Sequence, residues 1–284
     1  MTAGAASVGV PLPPRRNRGM RLRGSLGTYL PAVVVFVAVI AFWELIGPSL
    51  QSRPLVMPPP SAIVTALGEN WSGGRWQLLP SALATLYEAV GGLIIGTVVG
   101  VAVAFAVARW ASARDSILPI AVAANAIPII AIAPIMNNWF GVTNPLSKMM
   151  IAALLVFFPV MINVTRGLSQ VEPAALELMR SYAASEWTVL RKLRIPNALP
   201  FFLTALKVGT TLSLIGAIVG EYFGGASQVI GRIVVQSASA LRFDVTWAAI
   251  SLGAATGIAF YLVIVAAERV LIPWHASVRG EEIA

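Results

Sequence analysis

Few residues inside the strongly apolar runs of this chain have chemistry to offer. Glu88, Lys207 and Glu221 stand among Leu, Ile, Val, Ala and Gly, and Asn125, Asn163 and Thr211 add uncharged polar groups in similar surroundings. Burying such groups in hydrocarbon is costly, so they usually mark a cavity, a solute path or an opposite charge. These six are therefore candidate substrate-path residues. Catalysis fits poorly. There is no cysteine, and the one histidine, His275, lies beside Trp274 near the C-terminus, where an interfacial position accounts for it. The acids are scattered rather than set against a nucleophile, so neither catalytic residues nor a metal site is assigned.

The elements that must carry these residues follow from composition. The 284 residues are 57% hydrophobic and only 11% charged, with a mean hydropathy of +0.80, whereas an ordinary soluble domain is about 25% charged. The fold class expected is all-α, a polytopic helical bundle in a lipid membrane. At about 20 apolar residues per crossing, the length accommodates about six transmembrane helices. The net charge of +8 does not point to nucleic acid, because the basic residues cluster in short loops beside apolar spans.

Taken in order, residues 1–28 read as a disordered basic cytoplasmic tail, 29–272 as one transmembrane domain and 273–284 as a cytoplasmic C-terminal tail. Spans are expected at about 29–47, 80–108, 117–136, the stretch ending near Val164, 199–222 and 245–267. A short surface helix capped by Ser61 runs to Glu69, and an outer amphipathic or re-entrant helix falls within 224–244. Gly92, Gly96 and Gly100 repeat every four residues, so they share one helix face and form a packing seam for a neighbouring helix. Pro119, Pro128 and Pro134 should kink the third span. Asn137 and Asn138, beside Trp139, read as interfacial. Inner segments hold 5, 2, 5 and 2 basic residues against four in outer segments, Arg53, Arg75, Arg232 and Arg242. That asymmetry places both termini inside. Lys207 then lies near the inner side, where it could also snorkel or pair with a helix end. Glu221, at the outer end of its span, could instead contact a docking protein or Arg232.

Between the fourth and fifth spans lies a polar stretch, ELMRSYAASEWTVLRKLRIPNALP, residues 177–200. The segment from about Pro173 to Arg194 reads as two short helices with a small-residue corner at Ala183 and Ala184, ended by Pro196 and Pro200. Acidic residues near the first start and Arg191, Lys192 and Arg194 near the second end suit the helix dipole. Such a hairpin would present Tyr182, Glu186, Trp187 and Leu190 to a soluble partner.

This stretch resembles the EAA loop of ABC importer permeases, in which Glu-Ala-Ala is followed by three residues, Gly, nine residues and Ile-x-Leu-Pro. Glu177 falls at the motif Glu, Ala183 at its Gly, and Ala198, Leu199 and Pro200 at its end, with Ser185, Trp187, Arg191, Lys192 and Pro196 also matching. Leu178, Met179, Ala183 and Asn197 depart from the pattern. From about Leu55 to Trp274 the chain is similar to nitrate, sulfonate and taurine type permeases, through AIPIIAIAPIMNNWFG, LSKMMIAALLVFFPVMIN and IGAIVGEYFGG. Glu88, LKVGTTLSLIGAIVGEY and ASALRFD resemble the branch assigned to thiamine-precursor pyrimidines or riboflavin.

The resemblance implies a type I importer permease fold and a homodimer of permeases. It also implies two ATP-binding cassette ATPase subunits that bind ATP and Mg, and an extracytoplasmic binding protein that delivers a small solute. The loop 172–200 would couple to the ATPase through Glu177, Tyr182, Ala183, Ala184, Ser185, Glu186, Trp187, Arg191 and Pro200. The permease holds no cofactor and does no chemistry, in keeping with the lack of a Walker phosphate loop. An ion-coupled secondary carrier working without an ATPase is the alternative reading.

Overall fold

In hydrocarbon a backbone has only itself to satisfy its N–H and C=O groups, so long apolar runs must become helices. A computed structural model describes residues 18–51, 57–124 and 126–272, and among these there is no strand. The chain falls into two units, 1–61 and 62–284.

In the first unit, helix α1 (Arg18–Gln51) begins inside the stretch expected as a tail. Gly19, Gly24 and Gly27 weaken a helix there, but Arg18–Leu30 holds no proline to stop one from running past the apolar boundary. Residues 1–17 and 273–284, with His275 and Trp274, lie outside the described residues. Helix α2 (Pro60–Glu69) starts at the unit boundary. Ser61 lies inside α2 rather than capping it, and its N–H and Oγ both donate to the Glu44 carboxylate, at 3.0 and 2.6 Å.

The second unit is built around three long helices: α3 (Leu78–Ala108), α6 (Pro145–Ser169) and α9 (Ile195–Phe223). Between α3 and α6 lie α4 (Ala111–Ala124) and α5 (Ile129–Phe140). Before α9 come α7 (Pro173–Ser181) and α8 (Glu186–Val189), and after it α10 (Ile230–Ser239) and α11 (Phe243–Leu271). Gly92, Gly96 and Gly100 all turn toward α6. A Cβ at Gly92 would stand 2.3 Å from Ala152 Cβ, and one at Gly96 would stand 2.5 Å from the Ala153 carbonyl oxygen. The absence of side chains there lets the two backbones touch. Leu93, Ala104, Val156, Val160 and Ala205 fill the contact between α3, α6 and α9.

Two expectations change. Among the described residues, five helical stretches are long and apolar enough to cross a membrane: Leu30–Gly47, Leu78–Ala108, Pro145–Ser169, Glu186–Phe223 and Phe243–Leu271. The predicted third span is divided into α4 and α5. Pro128 has no N–H and disfavours helical geometry at Ile127, so the run is broken rather than kinked; Asn125 lies outside the described residues. Conversely, Pro196 and Pro200 do not end the polar hairpin. Helix α8 continues through a π-helical turn, Leu190–Arg194, into α9. There the Ile195 N–H donates to the Leu190 carbonyl, five residues back. This wider register passes Pro196, which has no N–H to give, without stopping the helix.

Candidate functional site

The polar hairpin is shaped by local bonds. Helix α6 closes with the Gln170 N–H on the Arg166 carbonyl at 2.7 Å, and Pro173 opens α7. Helix α7 then ends with Ala183 N–H donating to Arg180 O (2.9 Å) and Ala184 N–H donating to Met179 O (3.0 Å). The second bond spans the six-residue closure of a Schellman motif, which needs a left-handed residue next to the end. Ala183 supplies it with φ +48°, the conformation a glycine would adopt without steric cost. Ser185 then caps α8, its Oγ accepting from Thr188 N–H at 3.3 Å and bonding Thr188 Oγ1 at 2.9 Å. Glu186 in the first turn suits the positive helix end.

The hairpin buries little of itself. No residue of α7 is buried; Glu177, Glu186 and Arg191 are exposed, and Tyr182 and Trp187 are 78% and 67% exposed. Ala184 and Pro200 are half-buried. A hollow of about 710 Å³ opens beside it, lined by Phe105, Arg109, Trp110, Leu168, Trp187 and Leu190 among others. Asn197, a departure from the loop pattern, donates to Gly167 O (2.7 Å) and Gln170 O (3.1 Å). It ties the end of α6 to the start of α9, where a Cβ on Gly167 would stand 2.7 Å from Ala198 Cα. Resemblance to the motif gave no sign of this bond.

The candidate path residues divide. Glu88 on α3 and Glu221 on α9 are both buried and lie close to one another. Lys148 on α6, fully buried, is the cation beside both carboxyl groups. Its Nζ donates to the Val142 carbonyl and to Ser147 Oγ (2.9 Å). Glu221 Oε2 accepts from Gly231 N–H at 2.6 Å, and Thr85 Oγ1 accepts from Ile230 N–H at 3.0 Å. Both donors belong to the first turn of α10, whose preceding residue, Val229, has no side chain able to cap it. Asn137 is buried rather than interfacial, and its Nδ2 donates to Gly220 O at 3.3 Å. Sequence reasoning left Lys148 and Asn137 out of this group. The usable signal was a lysine inside a span, which demands an opposite charge at its own depth.

The remaining candidates lie elsewhere. Lys207 forms a two-pronged ion pair with Glu268 of α11, 2.9 Å to each oxygen. Asn163 is half-buried and donates to Pro159 O of its own helix at 2.8 Å. Thr211 is exposed and, with Leu214 and Tyr261, lines a groove of about 280 Å³ between α9 and α11. Asp and Glu do not gather with other ligand types into a metal-binding group among the described residues.

Several known proteins are similar over nearly the whole length. The riboflavin transport system permease protein of Chloroflexus aurantiacus is 28% identical over 86% of this chain and 90% of its own. The formylaminopyrimidine transport permease protein of Halalkalibacterium halodurans is 29% identical over 87% and 96%. The taurine transport system permease protein of Escherichia coli is 26% identical over 93% and 96%. Residues 92–275, which include α3 from the glycine seam onward, the polar hairpin, the Lys148 and Glu221 positions and α11, match one family description. The chain belongs to the family of binding-protein-dependent transport system inner membrane components.

Proposed function

We propose that this chain is the membrane-spanning permease of an ATP-driven importer, with both termini and the hairpin on the cytoplasmic side. Two copies form the path, and a separate pair of ATPase subunits binds ATP and Mg. An external binding protein delivers the solute. The exposed, internally capped hairpin supports this reading most directly, because it holds its own shape while offering Tyr182 and Trp187 to another surface. In this reading Glu177, Ala184, Arg191 and their neighbours meet the ATPase. Thr211 faces the path, and the pair Lys207–Glu268 braces α9 against α11 near the inner side.

The solute we propose is a small heteroaromatic of the riboflavin or pyrimidine kind. A sulfonate or nitrate would require a free cation along the path. Within the apolar part of the described spans, Lys148 Nζ is occupied by the Val142 carbonyl and Ser147 Oγ, and Lys207 is held by Glu268. The permeases for riboflavin and formylaminopyrimidine are also similar over most of their length. The test is uptake into proteoliposomes holding permease, ATPase and binding protein, with riboflavin, a formylaminopyrimidine and taurine offered separately. ATP-dependent uptake of a heteroaromatic is expected; uptake of taurine alone would overturn the assignment.

A further inference from the structure

The hairpin and the buried cluster are the two ends of one rod. From Glu186 to Phe223 the chain is helical for 38 residues, about 57 Å at 1.5 Å per residue. Glu221 stands at the far end of this rod and holds the first turn of α10. The contact is close: a Cβ on Gly231 would lie 2.5 Å from Ile218 O and 2.8 Å from Glu221 Cβ. Between rod and helix runs a non-helical link, 224–229, that opens with Gly224 and Gly225. The other end of α10 is fixed differently. Ser237 Oγ bonds Thr246 Oγ1 of α11 at 2.7 Å, and Arg242 N–H donates back to Ser237 O at 2.8 Å. Helix α10 is therefore anchored to α11 at its C-terminal end, and its N-terminal end is held by side chains of other helices.

We propose that Glu221 and Thr85 form a releasable clamp on the N-terminus of α10, which makes α10 a gate element of the outer face worked by the rod. The inference rests on the coupling role of the hairpin. Three observations support release rather than a permanent joint. A Ser or Asp at position 229 would cap α10 locally, whereas its first two N–H groups are accepted by Thr85 of α3 and Glu221 of α9, so a movement of those helices takes the cap away. Among the described residues no donor reaches Glu88 Oε2, Glu221 Oε1 or Asn137 Oδ1, so acceptors stand ready for a second arrangement of the same groups. Finally, α10 is amphipathic: Ile230, Gly231, Ile233 and Ser237 are buried, while Arg232, Gln236 and Ser239 line an open hollow of about 520 Å³ with Arg75. One face can therefore part from the core without carrying an apolar surface on both sides into water.

A cross-link tests this without touching the clamp. The chain has no cysteine, so an introduced pair is unambiguous. Gln228 Nε2 donates to Gln77 Oε1 at 3.0 Å, which places the link before α10 against the start of α3. With Gln77→Cys and Gln228→Cys joined by a short, reducible bis-thiosulfonate, the assembled transporter should lose uptake roughly tenfold or more and regain it on reduction. Uptake within about twofold of the reduced protein at full cross-linking would overturn the proposal. Glu221→Gln, which keeps an acceptor for Gly231 N–H, should transport better than Glu221→Ala at equal membrane levels; equal and undiminished uptake by both would also overturn it. Should Glu221→Ala fail to reach the membrane, the cross-linked pair decides. Failure of the coupling reading would show separately, as uptake by the reduced pair that ignores ATP.

Discussion

At one end of the rod Glu186–Phe223, Tyr182 and Trp187 are largely exposed; at the other, Lys148 and Glu221 are fully buried. The hairpin end is made from neighbours in sequence: the Ala183 closure and the Ser185 cap each use residues within five positions. The cluster end is made from α3, α5, α6, α9 and α10, with bonds that join residues as far apart as Thr85 and Ile230. A segment that satisfies itself locally keeps its outward groups for a partner. A cluster bonded across helices ties the bundle together, and it keeps in reserve only the acceptors Glu88 Oε2, Glu221 Oε1 and Asn137 Oδ1, which no donor among the described residues reaches.

This contrast can be broken or sharpened by substitution, beginning with the cluster. Lys148→Met leaves the Val142 carbonyl and Ser147 Oγ without their buried donor and should cost about 1–3 kcal/mol, read as a lower unfolding midpoint of the purified permease. An unchanged midpoint would mean that the cluster does not hold the bundle. Gly96→Val drives side-chain atoms into the Ala153 carbonyl and should cost about 1–3 kcal/mol, measured in the same assay. Ser185→Ala removes the α8 cap, worth about 1 kcal/mol to that short helix. Uptake should fall while the unfolding midpoint of the bundle stays in place. Ala183→Gly relieves the left-handed alanine by about 1 kcal/mol, and transport should be retained, with the hairpin less readily cut by protease.

The same contrast decides what was legible in the sequence. Hydropathy and glycine spacing carried the helical class and the α3 column, and the loop pattern carried the hairpin, because each is a local signal. The corner at Ala183 was legible too, since the motif asks for a residue able to turn left there. The division of the third span was only half legible: Pro119, Pro128 and Pro134 announced a disturbance, but whether a proline kinks or breaks a helix depends on what packs against it. The continuity through Pro196 was not legible, because a π turn changes the hydrogen-bond register without a sequence mark of its own. Glu88 and Glu221 were singled out by type, yet their meeting, and the place of Lys148 and Asn137 beside them, depends on the rotations of separate helices. No spacing along one chain records that.

The most direct test of the account is ATP-driven uptake by Ala183→Asp in proteoliposomes with ATPase and binding protein. Asp tolerates the left-handed conformation better than most residues, so the corner keeps its backbone while a charge enters the surface offered to the ATPase. The account predicts uptake lowered roughly tenfold or more with normal membrane insertion. Undiminished uptake, with the ATPase still copurifying, would contradict it.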